Sequence, residues 1–308
     1  MPAVSHSITD CWSKSCTNET QTWTRFVRFV STDDLELCGE PIDQDVDVGL
    51  AIAAGRPVEV RLLDRPSAVD ESQFTGQTAF IKTLLSPLSP QEVATIRCIG
   101  LNFKDHAAEL NCPLPSIPEV FTKPSTTLTN PSSPIILPSS APDMVDAEVE
   151  LAIVLAQDCK NVRRQDAGRY ILGYTAANDV TARDVQSKTS QWGYSKGFDG
   201  FCPLGPCLVR SEVFTNVNRG VCLKSTLNGE VLQDGKTDEF IFSVGEIIEH
   251  LSRDSTLPKG TVILTGTPSG IGHGRKPPRY LKAGSDLQIT ISHGIGTLTN
   301  PVVASIKL

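Results

Sequence analysis

Hydrophobic and polar positions alternate along much of this chain, and the alternation predicts strands. The clearest stretch is VDAEVELAIVLA, residues 145–156. Side chains at i and i+2 point to the same side of a strand, so Val145, Ala147, Val149, Leu151 and Ile153 form one apolar face. The opposite face carries Asp146, Glu148 and Glu150, then turns apolar at Ala152, Val154 and Ala156. From Leu151 onward both faces are apolar, which predicts a strand covered on both sides. At its mouth two like charges share a face, where they repel each other and resist desolvation. A positive group belongs between them.

Elsewhere, WTRFVRFVSTDDLELCGEP (23–41) alternates and then turns, as an opening hairpin does. VDVGLAIAAGRPVEVRLLD reads as further strand. Beyond a proline-punctuated linker near residues 86–90 come short extended segments in ATIRCIG, EVFTKPS, SPIILP, RYILGYTAAND, CLKSTLNGEVLQDG and TVILTGTP. Asn228-Gly229 marks a tight hairpin turn. Helices are few and short: NFKDHAAELN (102–111), TARDVQSKT (181–189) and SVGEIIEHLS (243–252), the last with Ser243 and Glu246 at capping-box spacing. Strands without regular β-α-β alternation argue against a doubly wound sheet or a TIM barrel. The expected organisation is a flexible tail over residues 1–22, a small β-rich N-terminal domain over 23–88 and a larger β-rich domain over 89–308.

Composition narrows the function classes. The 308 residues carry a net charge of −7, which gives no reason to expect nucleic acid or an anionic membrane as partner. No apolar run is long enough to span a bilayer, and the polar start MPAVSHSITDCWSKSCTNETQ lacks the core of a secretory signal. Nine cysteines without a Cys-x-x-Cys pair fit neither a zinc ribbon nor a thioredoxin-like motif. Several lie in apolar company, where a thiol behaves as a small hydrophobe. A reducing, cytoplasmic setting is expected, and a mitochondrial one is compatible. Asn18-Glu19-Thr20 is read as a chance match to a glycosylation acceptor.

About thirty residues after the glutamates, YILGYTAANDVTARDVQ ends another apolar run on Asp179. Three carboxylates offer hard oxygen ligands, which suit Mg2+, Mn2+ or Ca2+ in preference to zinc or copper. With a divalent ion the trio carries about −1 net charge, so lysine or arginine is expected nearby. On spacing alone, a solvated strand edge explains the Glu-x-Glu at least as well.

Taken in order, IGLNFKDHAAEL, FTKPS, DAEVELAIVL, GYTAANDVTARDVQ, WGYSKGFDGFCPLGP, LNGEVLQDG and VILTGTPSGIG resemble the fumarylacetoacetate hydrolase family over roughly residues 94–303. The resemblance implies an α+β, β-rich fold: a mixed β-roll/β-sandwich catalytic domain with few short helices and a small N-terminal domain, usually in a homodimer. It implies that Glu148, Glu150 and Asp179 hold a divalent ion, Mg2+ or Mn2+, with Ca2+ a further option. The short N-terminal part is more similar to the shorter members, which act on acylpyruvates, oxaloacetate and related diacids. The extended tail and GRKPPRYLKAGS resemble fungal relatives.

His106 and Glu109 lie three apart and share a helix face. A carboxylate bonded to imidazole fixes its tautomer and raises its basicity. From sequence alone a capping or surface histidine explains His106 better; the resemblance makes the pair a water-activating base. It also implies that Lys196, in SKGFDG, holds a carbonyl or enolate oxygen. Substrate contacts are implied for Lys123 in FTKPS and for Thr267 in TGTPSGIGHG, whose glycines let backbone approach a ligand. Arg183 and Gln186, one helical turn apart, suit a substrate carboxylate. Asp105 is a candidate for a water-mediated contact with the ion, and His6, His250, His273 and His293 match no site. The implied reaction is metal-dependent hydrolysis of a carbon–carbon bond in a small 2,4-dioxo or acylpyruvate-like acid through a metal-bound enolate. Decarboxylation and keto–enol tautomerisation share that enolate and stand as alternatives, as does a non-catalytic metabolite-binding protein on the same scaffold.

Overall fold

The computed structural model describes residues 22–305. Residues 1–21, with His6, Cys11, Cys16 and the Asn18-Glu19-Thr20 triplet, lie outside the described residues, as do 306–308.

The strand Val149–Leu155 is buried along its whole length. Its alternation serves two cores at once: Val149, Leu151, Ile153 and Leu155 face one, Ala152 and Val154 the other. It pairs antiparallel with Ile171–Asn178 on one side and Val262–Leu264 on the other. The sheet continues through Cys202–Arg210 to Arg25–Ser31 on the first flank. On the second it runs through Ile96–Gly100, a parallel neighbour, to Glu119–Lys123. A second sheet has the order Glu230–Lys236, Cys222–Leu227, Asp286–Ile291, Gly296–Ala304, Ile135–Leu137. It adds Leu223, Ile289, Leu298 and Val302 to the core under Val149 and Leu151. Asn228 and Gly229 turn between its first two strands at φ of 52° and 81°, the left-handed geometry that an Asn-Gly hairpin supplies.

The N-terminal strands Arg25–Ser31, Glu36–Pro41, Glu59–Leu63 and Phe74–Leu85 pair in a closed cycle. Arg25 and Phe26 also pair with Val209 and Leu208, so ladder hydrogen bonds join the cycle to the large sheet.

Two stretches depart from the sequence reading. VGLAIA, expected as strand, is a helix from Val48 to Ala53. Asp47 caps it by accepting the Leu50 N–H at 3.0 Å, and the same carboxylate accepts the N–H and hydroxyl of Thr297 at 3.2 and 2.7 Å. An Asp ahead of an apolar run is a helix-start signal that the alternation obscures. The helix expected over 181–189 shrinks to Arg183–Gln186, because Thr181 and Ala182 pair with Asp146 and Val145 instead. The helix expected over 102–111 spans Lys104–Glu109. Val244–Ser252 forms as expected, with the Ser243–Glu246 capping box in place.

The seven cysteines among the described residues are free. Burial pushes the thiols of Cys202 and Cys207 up to about 12 and about 11, so both act as small apolar groups. Among the described residues no helix is long and apolar enough to cross a membrane. Asp47→Ala removes the helix cap and the two Thr297 bonds together. The expected loss of stability is about 1–3 kcal/mol, read as a lower urea midpoint at unchanged slope, with Asp47→Asn losing less.

Candidate active site

Strand pairing alone brings the three predicted ligands together. Asp179 follows the last residue of Ile171–Asn178, and its N–H donates to the Glu148 carbonyl at 2.9 Å. Glu148 and Asp179 therefore face each other across neighbouring strands, while Glu150, two residues on, shares the Glu148 face. One oxygen from each carboxylate lies within 4.8 Å of the other two. Glu148, Glu150 and Asp179 are 5%, 2% and 0% exposed, so this charge is met by protein groups.

Three buried cations meet it. Lys196 Nζ donates to Glu148 Oε2 at 2.9 Å, Asp179 Oδ2 at 2.5 Å and Thr181 Oγ1 at 2.8 Å, which engages all of its N–H donors. Lys123 donates to Asp179 Oδ1 at 2.6 Å and to the Val180 carbonyl at 3.2 Å. Arg183 donates to Glu148 Oε1 at 2.6 Å, to Asp146 Oδ2 at 3.0 and 2.9 Å, and to Gln186 Oε1 at 3.0 Å. Glu150 differs. It accepts the Gly266 N–H at 2.6 Å and touches no cation among the described residues. Burial, with Asp179 and Glu148 beside it, pushes its carboxyl well above the usual range. For Glu148 the same burial is outweighed by Lys196 and Arg183, which hold its carboxyl well below that range. The donor set fits a hard divalent ion: three carboxylates converge, and one of them lacks the positive partner that its ionised form requires.

The same cavity, of about 350 Å³, is lined by His106, Arg183, Gln186, Lys196 and Thr267 along with the three acids. His106 Nδ1 lies 2.9 Å from Glu109 Oε2, and its Nε2 has no protein partner among the described residues. Their helix, Lys104–Glu109, is seated on the TGTPSGIGHG segment. Asp105 accepts the N–H and hydroxyl of Ser269 at 3.2 and 2.8 Å, and Glu109 accepts the Gly270 N–H at 2.9 Å. Asp105 is thus engaged by Ser269 and is not part of the cavity lining. Gly266 sits at φ 94°, and a Cβ there would come within 2.8 Å of the Asn102 side chain; only glycine brings its N–H to Glu150.

The remaining predicted residues divide. Lys123 stands behind Asp179 and is not part of the cavity lining. Thr267 reaches the cavity, but its O–H donates to the Val149 carbonyl at 2.8 Å. Arg183 has four of its five N–H donors engaged, and the Gln186 amide nitrogen is without a protein partner among the described residues. Sequence reasoning missed two supports. Asp146, on the glutamates' own face, receives Arg183 and also the N–H groups of Gly272 and His273, each at 3.0 Å. Gln233 accepts the Val149 N–H at 3.1 Å and donates to Thr267 Oγ1 at 2.7 Å; no spacing rule announces it.

The family model described as fumarylacetoacetate (FAA) hydrolase C-terminal matches residues 95–303. The chain belongs to the fumarylacetoacetate hydrolase family. Among its relatives in this family, the caffeoylpyruvate hydrolase of Neonothopanus nambi is 40% identical over 288 residues, which cover 91% of this chain and 93% of that protein. A mitochondrial oxaloacetate tautomerase of Xenopus laevis is 40% identical over 247 residues, 80% of this chain and 76% of that one. The crystal structure of 2-hydroxyhepta-2,4-diene-1,7-dioate isomerase from Mycobacterium marinum matches with a TM-score of 0.76 at 35% identity, over 92% of this chain and 100% of that one. The family and the β-rich fold expected from the ordered motifs both hold.

Glu150→Gln imitates the protonated carboxyl. In chelator the variant is expected to melt no lower than the unmodified protein. Mg2+ or Mn2+ is expected to raise Tm of the unmodified protein and to leave the variant unmoved in scanning calorimetry. A metal-induced shift that survives in the variant removes Glu150 from the ligand set.

Proposed function

We propose that the chain hydrolyses the carbon–carbon bond of a 2,4-dioxo acid: RCOCH2COCOO− and water give RCOO−, pyruvate and a proton. The observation that carries this reading is the His106–Glu109 pair, at 2.9 Å, opening on the cavity that holds the three acids. Hydrolysis needs a base for water, whereas tautomerisation has no attacking water to activate. Similarity to the caffeoylpyruvate hydrolase over nearly the full length of both chains supports it.

Glu148, Glu150 and Asp179 would hold Mg2+ or Mn2+, which when bound supplies Lewis-acid polarisation of the inner keto oxygen. With all four acids ionised, as a bound ion would require of Glu150, Asp146, Glu148, Glu150 and Asp179 against Lys123, Lys196 and Arg183 leave one negative charge. A divalent ion turns this into one positive charge, which suits an anionic substrate. The Gln186 amide and the last free N–H of Arg183 are the donors left for its carboxylate.

His106 takes a proton from water at Nε2, while Glu109 holds the Nδ1 proton and so the tautomer. The water oxygen bonds to the outer carbonyl carbon. The carbonyl π pair moves onto its oxygen and re-forms the C=O as the bond from that carbon to CH2 breaks. The electron pair of that bond passes into the pyruvate enolate, and the RCOOH left behind loses its proton to solvent. His106 then returns its proton to the CH2 carbon, which becomes the pyruvate methyl. With its donors engaged by Glu148, Asp179 and Thr181, Lys196 serves through its charge: it places two carboxylates and sets a positive field beside the enolate.

A second reading, tautomerisation of oxaloacetate, is favoured by the similarity to the Xenopus laevis tautomerase. His106→Ala separates the two. Hydrolysis of an acylpyruvate, followed by loss of enol absorbance and by mass spectrometry of pyruvate, is expected to fall by about 10²–10⁴, with the metal-induced Tm shift retained. An unmodified protein that interconverts oxaloacetate tautomers yet releases no pyruvate from any acylpyruvate overturns the hydrolase reading. Chelation is expected to abolish hydrolysis, and added Mg2+ or Mn2+ to restore it.

A further inference from the structure

We infer that the R arm of the substrate is an uncharged, flat apolar group, an aryl ring above all, held in a slot that Leu101, Phe121 and Trp192 wall on one side. This rests on the hydrolase reading and names its substrate class.

The slot begins at the acids. Lys196 Nζ, bonded to Glu148 and Asp179, lies 4.9 Å from the centroid of the Phe121 ring. The Trp192 ring is next, 5.5 Å from Phe121 at an interplanar angle of 72°. Leu101 and Leu110 line the same cavity. A cavity that is charged at one end and aromatic at the other suits a ligand with the same division. Phe121, Trp192 and Leu101 are each half-buried, so their apolar faces stay wet until something apolar covers them.

Two backbone features shape this wall and serve nothing else described above. A Cβ on Gly100 would come within 2.5 Å of Trp192 Cζ3, so the missing side chain lets the indole lie against the strand end. Leu101 has φ of 50°, a left-handed conformation that a bulky residue adopts only when its surroundings impose it. Asn102 imposes it. Its side chain donates to the carbonyls of Thr265 and Phe242 at 2.8 and 3.2 Å and accepts the Phe242 N–H at 2.7 Å. Its own carbonyl accepts the Ile241 N–H at 2.8 Å.

Charge disfavours a dicarboxylate arm. Glu119 lines the cavity beside this wall, its Cβ 3.6 Å from where a Gly100 Cβ would stand. Lys196 and Arg183, the lysine and arginine of the lining, are bonded to the acids at the other end. A second carboxylate on R would meet Glu119 and no counter-charge.

The test compares acetylpyruvate, benzoylpyruvate and succinylpyruvate with the full chain in Mg2+ or Mn2+. The expected kcat/KM for benzoylpyruvate exceeds that of the other two by about tenfold or more. Trp192→Ala and Leu101→Gly are each expected to cut the benzoyl-to-acetyl ratio by at least about fivefold; glycine keeps the positive φ at position 101. A binding arm needs no turnover. N-benzyloxamate, which has two atoms between inner carbonyl and ring as benzoylpyruvate does, is titrated by calorimetry against N-methyloxamate and is expected to bind about tenfold tighter. A flat or succinyl-preferring profile overturns the slot, as do equal affinities for the two oxamates or ratios unmoved in both variants. No hydrolysis of any of the three acids, with N-benzyloxamate still the tighter ligand, overturns the hydrolase reading and upholds the slot.

Discussion

Asp146, Glu148, Glu150 and Asp179 are all taken out of water at the ends of adjoining strands, and desolvating so much negative charge requires cations at hydrogen-bond distance. Those cations come from three separate parts of the chain: Lys123 ends a strand of the large sheet, Arg183 opens a short helix, and Lys196 lies in the segment that follows it. The acids thus dictate where distant backbone must run. Thr181 and Ala182 extend alongside Val145 and Asp146 instead of coiling, and that extension delivers Arg183 to Asp146 and Glu148.

How much of this a sequence can disclose follows from what alternation reports. It reports faces, so Glu148 and Glu150 fell on one side of a doubly covered strand, and Asp179 at the end of the next apolar run was within reach. It does not report which donors are already engaged. That all N–H groups of Lys196 are occupied, that Lys123 stands behind Asp179 rather than before a ligand, and that Glu150 alone of the acids lacks a cation among the described residues are properties of the packed molecule. Val48–Ala53 was misread for a related reason: a short helix buried on one side shows apolar runs much like those of a strand, and Asp47 was its one distinguishing mark. His106 and Glu109 were legible through the family resemblance; spacing by itself left them a surface pair.

The TGTPSGIGHG segment turned out to be a frame. Its backbone N–H groups reach Glu150 from Gly266, Glu109 from Gly270, and Asp146 from Gly272 and His273, while Ser269 holds Asp105. One strip of main chain therefore fixes the distance between the histidine's helix and the acids. Main chain suits that task because peptide N–H groups lose no side-chain rotamer freedom when they are fixed.

The central strand has an evolutionary consequence. Glu148, just ahead of Val149–Leu155, and Glu150 within it share a period of two with both cores, so a register slip of one residue would turn Glu150 into the opposite core and empty the site in the same step. Chemistry and foldability are inherited here as one trait that drift cannot separate. Leu101, Glu119 and Trp192 stand outside that strand, on a strand edge and two loops where substitution leaves the ladder intact. Divergence on such a scaffold can change what is recognised long before it changes what is done to it.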